Sequence, residues 1–189
     1  MRIFGIDPGS ERTGYGCVES DGRRHRLVTC GAITTSPGDG FPQRLSRIYR
    51  ELSSLLSTTR PDCVAIENLF HAVNARSALK LGHARGVAML AAVEAGCEVF
   101  EYTPAAVKRA VVGYGRADKP QVQMMVKLLL GLAAAPSPHD AADALAVAIC
   151  HLHNAPHGEL KARVAGEAAA AGRPRMPRSW RQYRPPATG

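Results

Sequence analysis

The chain has 189 residues, 46% of them hydrophobic, which suits one domain with a real core and about 30 residues to spare. Its formal net charge of +8 and pI of about 9.6 point to a polyanionic partner, with nucleic acid ahead of an anionic membrane surface. No apolar run reaches transmembrane length, and Asp7 interrupts the opening apolar run too early for a signal peptide, so a soluble, cytoplasmic protein with no membrane partner is expected. Cysteines at 17, 30, 63, 97 and 150 are odd in number, widely spaced and free of any CxxC pair. They read as reduced thiols rather than a disulfide framework or a zinc site.

Residues 2–7 form a short apolar run of strand formers, broken by Pro8-Gly9-Ser10. Residues 13–20 and 25–34 are two further strands, and Asp21-Gly22 between them is a hairpin signal. The period then changes: Leu45, Ile48, Tyr49, Leu52, Leu55 and Leu56 recur at helical spacing over 42–57, and Arg60-Pro61-Asp62 stops the helix. Residues 63–66 form a compact strand ending at Glu67, and 74–95 a long helix of small and apolar residues. Gly82 and Gly86 cost that helix stability, and close approach of another backbone, from this chain or a second subunit, would account for them. Residues 97–102 are a fifth strand, Thr103-Pro104 opens a helix, and 113–118 (GYGRAD) is a Gly-rich basic loop before helices at 119–130 and 140–153. The order β-β-β-α-β-α-β-α-α-α predicts an α/β fold, a mixed five-stranded sheet flanked by helices. Residues 1–155 are expected to form the domain. Residues 156–189, rich in Ala, Pro and Arg, are expected to be a disordered basic tail; from 159 onward they hold seven Lys and Arg against two acids.

Four acids carry the chemical signal. Asp7 and Glu67 each end a short apolar strand, and ligand sites lie beyond the carboxyl ends of parallel strands. Taken singly, each also fits a solvated strand end. Asp140 and Asp143 lie three apart at the start of an Ala-rich helix and project from nearly one face. Asp140 also fits a simple helix cap, whereas Asp143 lies on an otherwise apolar helix, where a carboxylate needs a partner. Four carboxylates without a His or Cys set favour Mg2+ or Mn2+ over zinc. Two such ions roughly 4 Å apart serve phosphodiester cleavage by activating water and stabilising the leaving oxygen. Glu101, at another strand end, and His139, beside Asp140, remain open as competing members of the set.

The segments GIDPGSERTGYG at 5–16, AIENLF at 65–70, SALKLGHARGV at 77–87, VKRAVVGYGRADKPQVQ at 107–123 and DAADALAVAI at 140–149 resemble the RuvC family of bacterial Holliday-junction resolvases, in order through residues 1–155. The resemblance implies a ribonuclease H-like fold, a homodimer, and a nuclease that uses two Mg2+ ions to nick two like-polarity strands of four-way junction DNA. It implies RuvA and RuvB, the branch-migration proteins, as partners. It casts Asp7, Glu67, Asp140 and Asp143 as the metal-binding acids, and Lys108 and Lys119 as basic residues near the scissile strand. It makes Phe70 an aromatic that contacts bases at the junction centre, a stacking contact worth about 1–3 kcal/mol. Read without the family, Phe70 fits a core anchor for its loop equally well.

Arg76, Lys80 and Arg85 on the long helix are further candidates for DNA phosphates, or solvated charges; Arg116 is a better candidate because Lys119 follows it. His151, His153 and His157 imitate a metal cluster but have no companion Cys, and read as capping or exposed side chains. The tail arginines at 173, 175, 178, 181 and 184 fit nonspecific DNA affinity or solubility. Two other functions compete. GIDPGS resembles the phosphate loop of actin-like kinases and chaperone ATPases, which need two such domains where this length supplies one. A junction-binding protein with a vestigial site would keep its basic residues but could lose its acids.

Overall fold

The computed structural model describes residues 1–36, 38–68 and 74–154. Within them the elements run β1 Arg2–Asp7, β2 Arg12–Ser20, β3 His25–Thr34, α1 Phe41–Thr59, β4 Cys63–Glu67, α2 Ala75–Glu94, β5 Glu98–Tyr102, α3 Pro104–Val112, α4 Lys119–Leu129 and α5 His139–Asn154. Every element expected from the sequence is present, in the expected order. The sheet order is β3-β2-β1-β4-β5, with the β1–β2 and β2–β3 pairs antiparallel and the β1–β4 and β4–β5 pairs parallel.

Local chemistry sets the boundaries. In the β2–β3 turn the Asp21 carboxylate accepts from the backbone N–H groups of Arg23 and Arg24, both at 2.8 Å, and Gly22 takes φ 88°. Asn74 caps α2 by accepting from the N–H of Ser77. Thr103 caps α3, with Pro104 in its first turn. Asp118 and Gln121 form a reciprocal capping box at α4.

The sheet separates two cores. One packs Phe4, Ile6, Val64 and Ile66 beneath α1 and α2; the other packs Ile3, Cys63, Ala65 and Val18 beneath α3, α4 and α5. The alternation of side chains along β1 and β4 thus assigns odd positions to the α5 side.

Helix α5 is held unusually close to the sheet. A β-carbon built on Gly5 would lie 2.0 Å from the carbonyl oxygen of Ala144, and one on Gly14 would lie 2.0 Å from that of Asp140. Two adjacent strands therefore present bare backbone to a helix whose facing residues, Ala141, Ala144 and Ala148, are themselves small and fully buried. Gly82 and Gly86 differ: a β-carbon on either meets nothing within 4 Å. No backbone of the described chain explains them.

The carboxyl end of α5 corrects one expectation. His151 is not exposed but 3% accessible. Its Nδ1 lies 2.8 Å from the Tyr102 hydroxyl, its Nε2 lies 3.4 Å from Cys63 Sγ, and the Phe100 ring lies 4.4 Å away. An imidazole can satisfy both ring nitrogens in a core, and this one links β4, β5 and α5. His153 is exposed, with Nδ1 near the Ala110 carbonyl oxygen. His157 and the predicted tail lie outside the described residues. Cys17, Cys63, Cys97 and Cys150 are buried and Cys30 is half-buried; none is in a disulfide. Burial pushes the Cys17 and Cys150 thiols up to about 11.

Gly14→Ala should destabilise the fold by about 1–3 kcal/mol, because backbone rather than a flexible side chain stands in the way. It should also displace Asp140, whereas Gly82→Ala should not destabilise the protomer. Denaturant melts of both variants check this, and equal stabilities would refute the close packing.

Candidate active site

Asp7 and Glu67 are the last residues of β1 and β4, adjacent parallel strands in which Ile6 pairs with Ile66. Both occupy odd positions and so face α5. The helix enters above them, with Asp140 in its first turn and Asp143 one turn on. Because the α5 backbone rests on Gly14 at Asp140 and on Gly5 at Ala144, the acids of the helix arrive over the strand ends. The four carboxylates line one cleft of about 410 Å³ together with Arg12, Lys108 and Lys119. Val107, Val122, Pro104 and Ala146 supply its apolar walls. Asp140 is the second residue of α5 rather than its cap.

The electrostatics are those of crowded like charges. Burial raises the Asp7 carboxyl well above its usual 3.8, and the nearby charges of Glu67, Asp143 and Asp140 raise it further. Burial, then Asp143, also raise Glu67, opposed by its hydrogen bond with Asp7 and by Lys119 and Lys108. The direction is consistent with a protonated Asp7 donating to Glu67. Lys119 Nζ lies 3.2 Å from Asp143 Oδ2, and that carboxylate raises the ammonium above its usual value. Arg12 stands 3.8 Å from Asp140.

Such a set fits a hard divalent cation. Repelling, partly buried oxygen ligands are relieved by positive charge, and no sulfur or imidazole competes. Among the described residues no three His, Cys, Asp or Glu side chains are drawn together closely enough to hold a metal ion as they stand. An open arrangement of this kind suits a divalent cation that keeps several waters and shares its coordination with substrate phosphates.

The family model for crossover junction endodeoxyribonuclease RuvC matches residues 3–151. The chain belongs to the RuvC family. The crossover junction endodeoxyribonuclease RuvC of Koribacter versatilis is 58% identical over 154 residues, covering 81% of this chain and 93% of that protein. That of Alkaliphilus oremlandii is 53% identical over 160 residues, covering 85% and 98%. Thermus thermophilus RuvC in complex with a Holliday junction substrate superposes with a TM-score of 0.76 at 37% identity, over 82% of this chain and 95% of that one. The yeast mitochondrial Holliday junction resolvase shares the fold, with a TM-score of 0.60 at 13% identity. The fold is thus the ribonuclease H-like one, and the chain is a RuvC-type endodeoxyribonuclease. The ATPase reading of GIDPGS is set aside.

The remaining candidates divide. Glu101 pairs with Ile66 across β4–β5, so its side chain faces the α1–α2 side, away from Glu67. It accepts from Asn68 Nδ2 at 3.0 Å and is ion-paired with Arg85, so it is neither a member of the acid set nor is Arg85 a solvated charge. His139 is exposed and does not line the cleft. Arg76 and Lys80 lie in the first turns of α2, in the opposite helical layer, and Arg116 is exposed in the loop before α4; none lines the cleft. Phe70 lies outside the described residues. Sequence reasoning missed Arg12. The available signal was its parity with Gly14, which puts both on the α5 side of β2.

In the metal-free RuvC-type protein the crowded acids make stability depend on pH. The unfolded chain loses the Asp7 proton around 3.8, whereas the folded chain retains it to higher pH. Stability contributed by this group is therefore complete below 3.8 and lost as pH rises towards the raised folded value. Asp7→Asn should melt progressively higher than the parent as pH rises above about 4 in EDTA. Parallel melting curves would contradict the crowding.

Proposed function

We propose that this chain resolves Holliday junctions, binding four-way DNA as a homodimer and hydrolysing one phosphodiester in each of two like-polarity strands. The observation that carries this reading is the convergence of four carboxylates from β1, β4 and α5 with Lys108 and Lys119 in one cleft. Asp7, Glu67, Asp140 and Asp143 would hold Mg2+, two ions suiting four carboxylates, with Mn2+ as a substitute. Bound there, the metal supplies Lewis-acid stabilisation of the phosphoryl and leaving oxygens. Lys119, held by Asp143 but 73% exposed, presents an ammonium to a backbone phosphate, and half-buried Lys108 offers a second. The apolar walls from Val107, Val122 and Ala146 strengthen these interactions by excluding water from one side. Hydrolysis joins a water oxygen to phosphorus while the bridging oxygen leaves and takes up a proton.

The dimer is proposed to form through α2. Leu79, Leu90 and Val93 are 64%, 51% and 62% exposed, and Gly82 and Gly86 lie open between the two leucines. A twofold pairing of this face would let a second helix approach the glycines closely and give each strand its own cleft. The resemblance extends the reading to RuvA and RuvB as partners and to a cytoplasmic site of action. No helix among the described residues is long and apolar enough to cross a membrane.

A labelled synthetic four-way junction should receive paired symmetric nicks in Mg2+ and none in EDTA, with linear duplex untouched. Asp7→Asn should abolish nicking and leave junction binding intact. Tight binding by the parent without nicks would instead indicate a binding protein. Lys119→Ala should lower the cleavage rate by about 10²-fold while weakening binding much less, and an unchanged rate would remove its role. The double variant Leu79→Glu, Leu90→Glu should sediment as a monomer; a retained dimer would move the interface elsewhere.

A further inference from the structure

Arg12 opens β2 at the same end of the sheet as the four acids, two residues from Gly14 and on the same face of the strand. Its side chain is 59% exposed and its guanidinium points over the cleft towards Asp140. At 3.8 Å that pair is too long for a hydrogen bond, so it orients the guanidinium without occupying its donors.

The base of this side chain is firmly set. The Thr13 hydroxyl, fully buried, donates to the Gly9 carbonyl oxygen at 2.7 Å. Thr35, also buried, donates from its hydroxyl to the Ser10 carbonyl oxygen at 3.0 Å and from its backbone N–H to the Glu11 carbonyl oxygen at 3.0 Å. A short loop tied on both sides thus carries an exposed arginine at the cleft mouth, which lowers the entropic cost of using it. Its position also complements the two lysines. Lys108 and Lys119 come from α3 and α4, while Arg12 stands on the β2 side of the acids.

We propose that Arg12 binds a DNA backbone phosphate on the β2 side of the cleft, so that a strand laid across the acids is gripped from both flanks. The planar fork of a guanidinium matches two phosphate oxygens at once, whereas a lysine ammonium supplies the charge without the fork. Arg12 is then a substrate-positioning residue of the cleft. The inference rests on the proposed junction-cleaving role, and it adds a contact that none of the acids or lysines provides.

The test uses the full chain and a fluorescent synthetic four-way junction in EDTA, where no strand is cut. Binding is measured by anisotropy between about 50 and 200 mM KCl, the range over which phosphate contacts are most visible. Arg12→Gln should make the salt slope shallower by about 0.9, so that the fall in affinity across that range is about three- to fourfold smaller. Arg12→Lys should restore the slope. Arg23→Gln removes the same charge at the opposite end of β2, in an exposed turn, and should leave the slope unchanged. A parental slope in Arg12→Gln, or an equal change in Arg23→Gln, would overturn the proposal, since the effect would then be absent or merely one of net charge. Nicking of the junction by the parent protein in Mg2+ is scored separately. Its failure would remove the proposed function without touching the slope that tests Arg12.

Discussion

The acidic cleft depends on how closely α5 can approach β1 and β2. Gly5 and Gly14 remove the side chains that would otherwise hold a helix at the usual separation from a sheet, and Ala141, Ala144 and Ala148 complete the contact from the helix side. Backbone meets backbone, so the register of α5 over the strand ends is set by atoms that cannot rotate out of the way. Asp140 and Asp143 inherit that register. The chemistry of four carboxylates thus begins with two residues that have no side chain.

That register brings together charges that disfavour the folded state. Asp7 sits beside three other acids in a partly buried cleft, and burial together with their charges raises its carboxyl well above the usual value. Lys119 and Lys108 offset part of the repulsion experienced by Glu67. The energy of the arrangement is spread over the cores on either side of the sheet, which keep the strand ends from drifting apart. A site strained in this way has a standing demand for positive charge, from a metal ion, a lysine or an arginine, and its apolar walls sharpen that demand.

Most of the fold was legible because strand and helix periods differ sharply along the chain. All five strands and all five helices were readable, since residues such as Asp21-Gly22, Arg60-Pro61 and Thr103-Pro104 punctuate them with turn and cap chemistry. Asp7 and Glu67 were readable as strand-end acids. What the pattern could not separate was Glu67 from Glu101, because both end apolar strands. The distinction lies in the pairing register, which sets Glu101 opposite Ile66 and turns it to the other face. His151 was misread for a related reason. A helix end looks exposed in sequence, but this one runs on beneath Tyr102 and Phe100. Arg12 escaped because an arginine near a loop resembles any surface charge until its neighbour two residues on is seen to touch α5.

The burial of the cysteines has a practical corollary. With the Cys17 and Cys150 thiols held up to about 11 and those of Cys30 and Cys97 also raised by burial, little reactive thiolate is present near neutral pH. A reporter cysteine introduced in the exposed β2–β3 turn, for example Arg23→Cys, would react with a maleimide dye ahead of these four native thiols. Fluorescence could then follow individual molecules without first stripping sulfur from a core in which Cys63 and Cys150 lie on the strand and the helix that carry Glu67, Asp140 and Asp143.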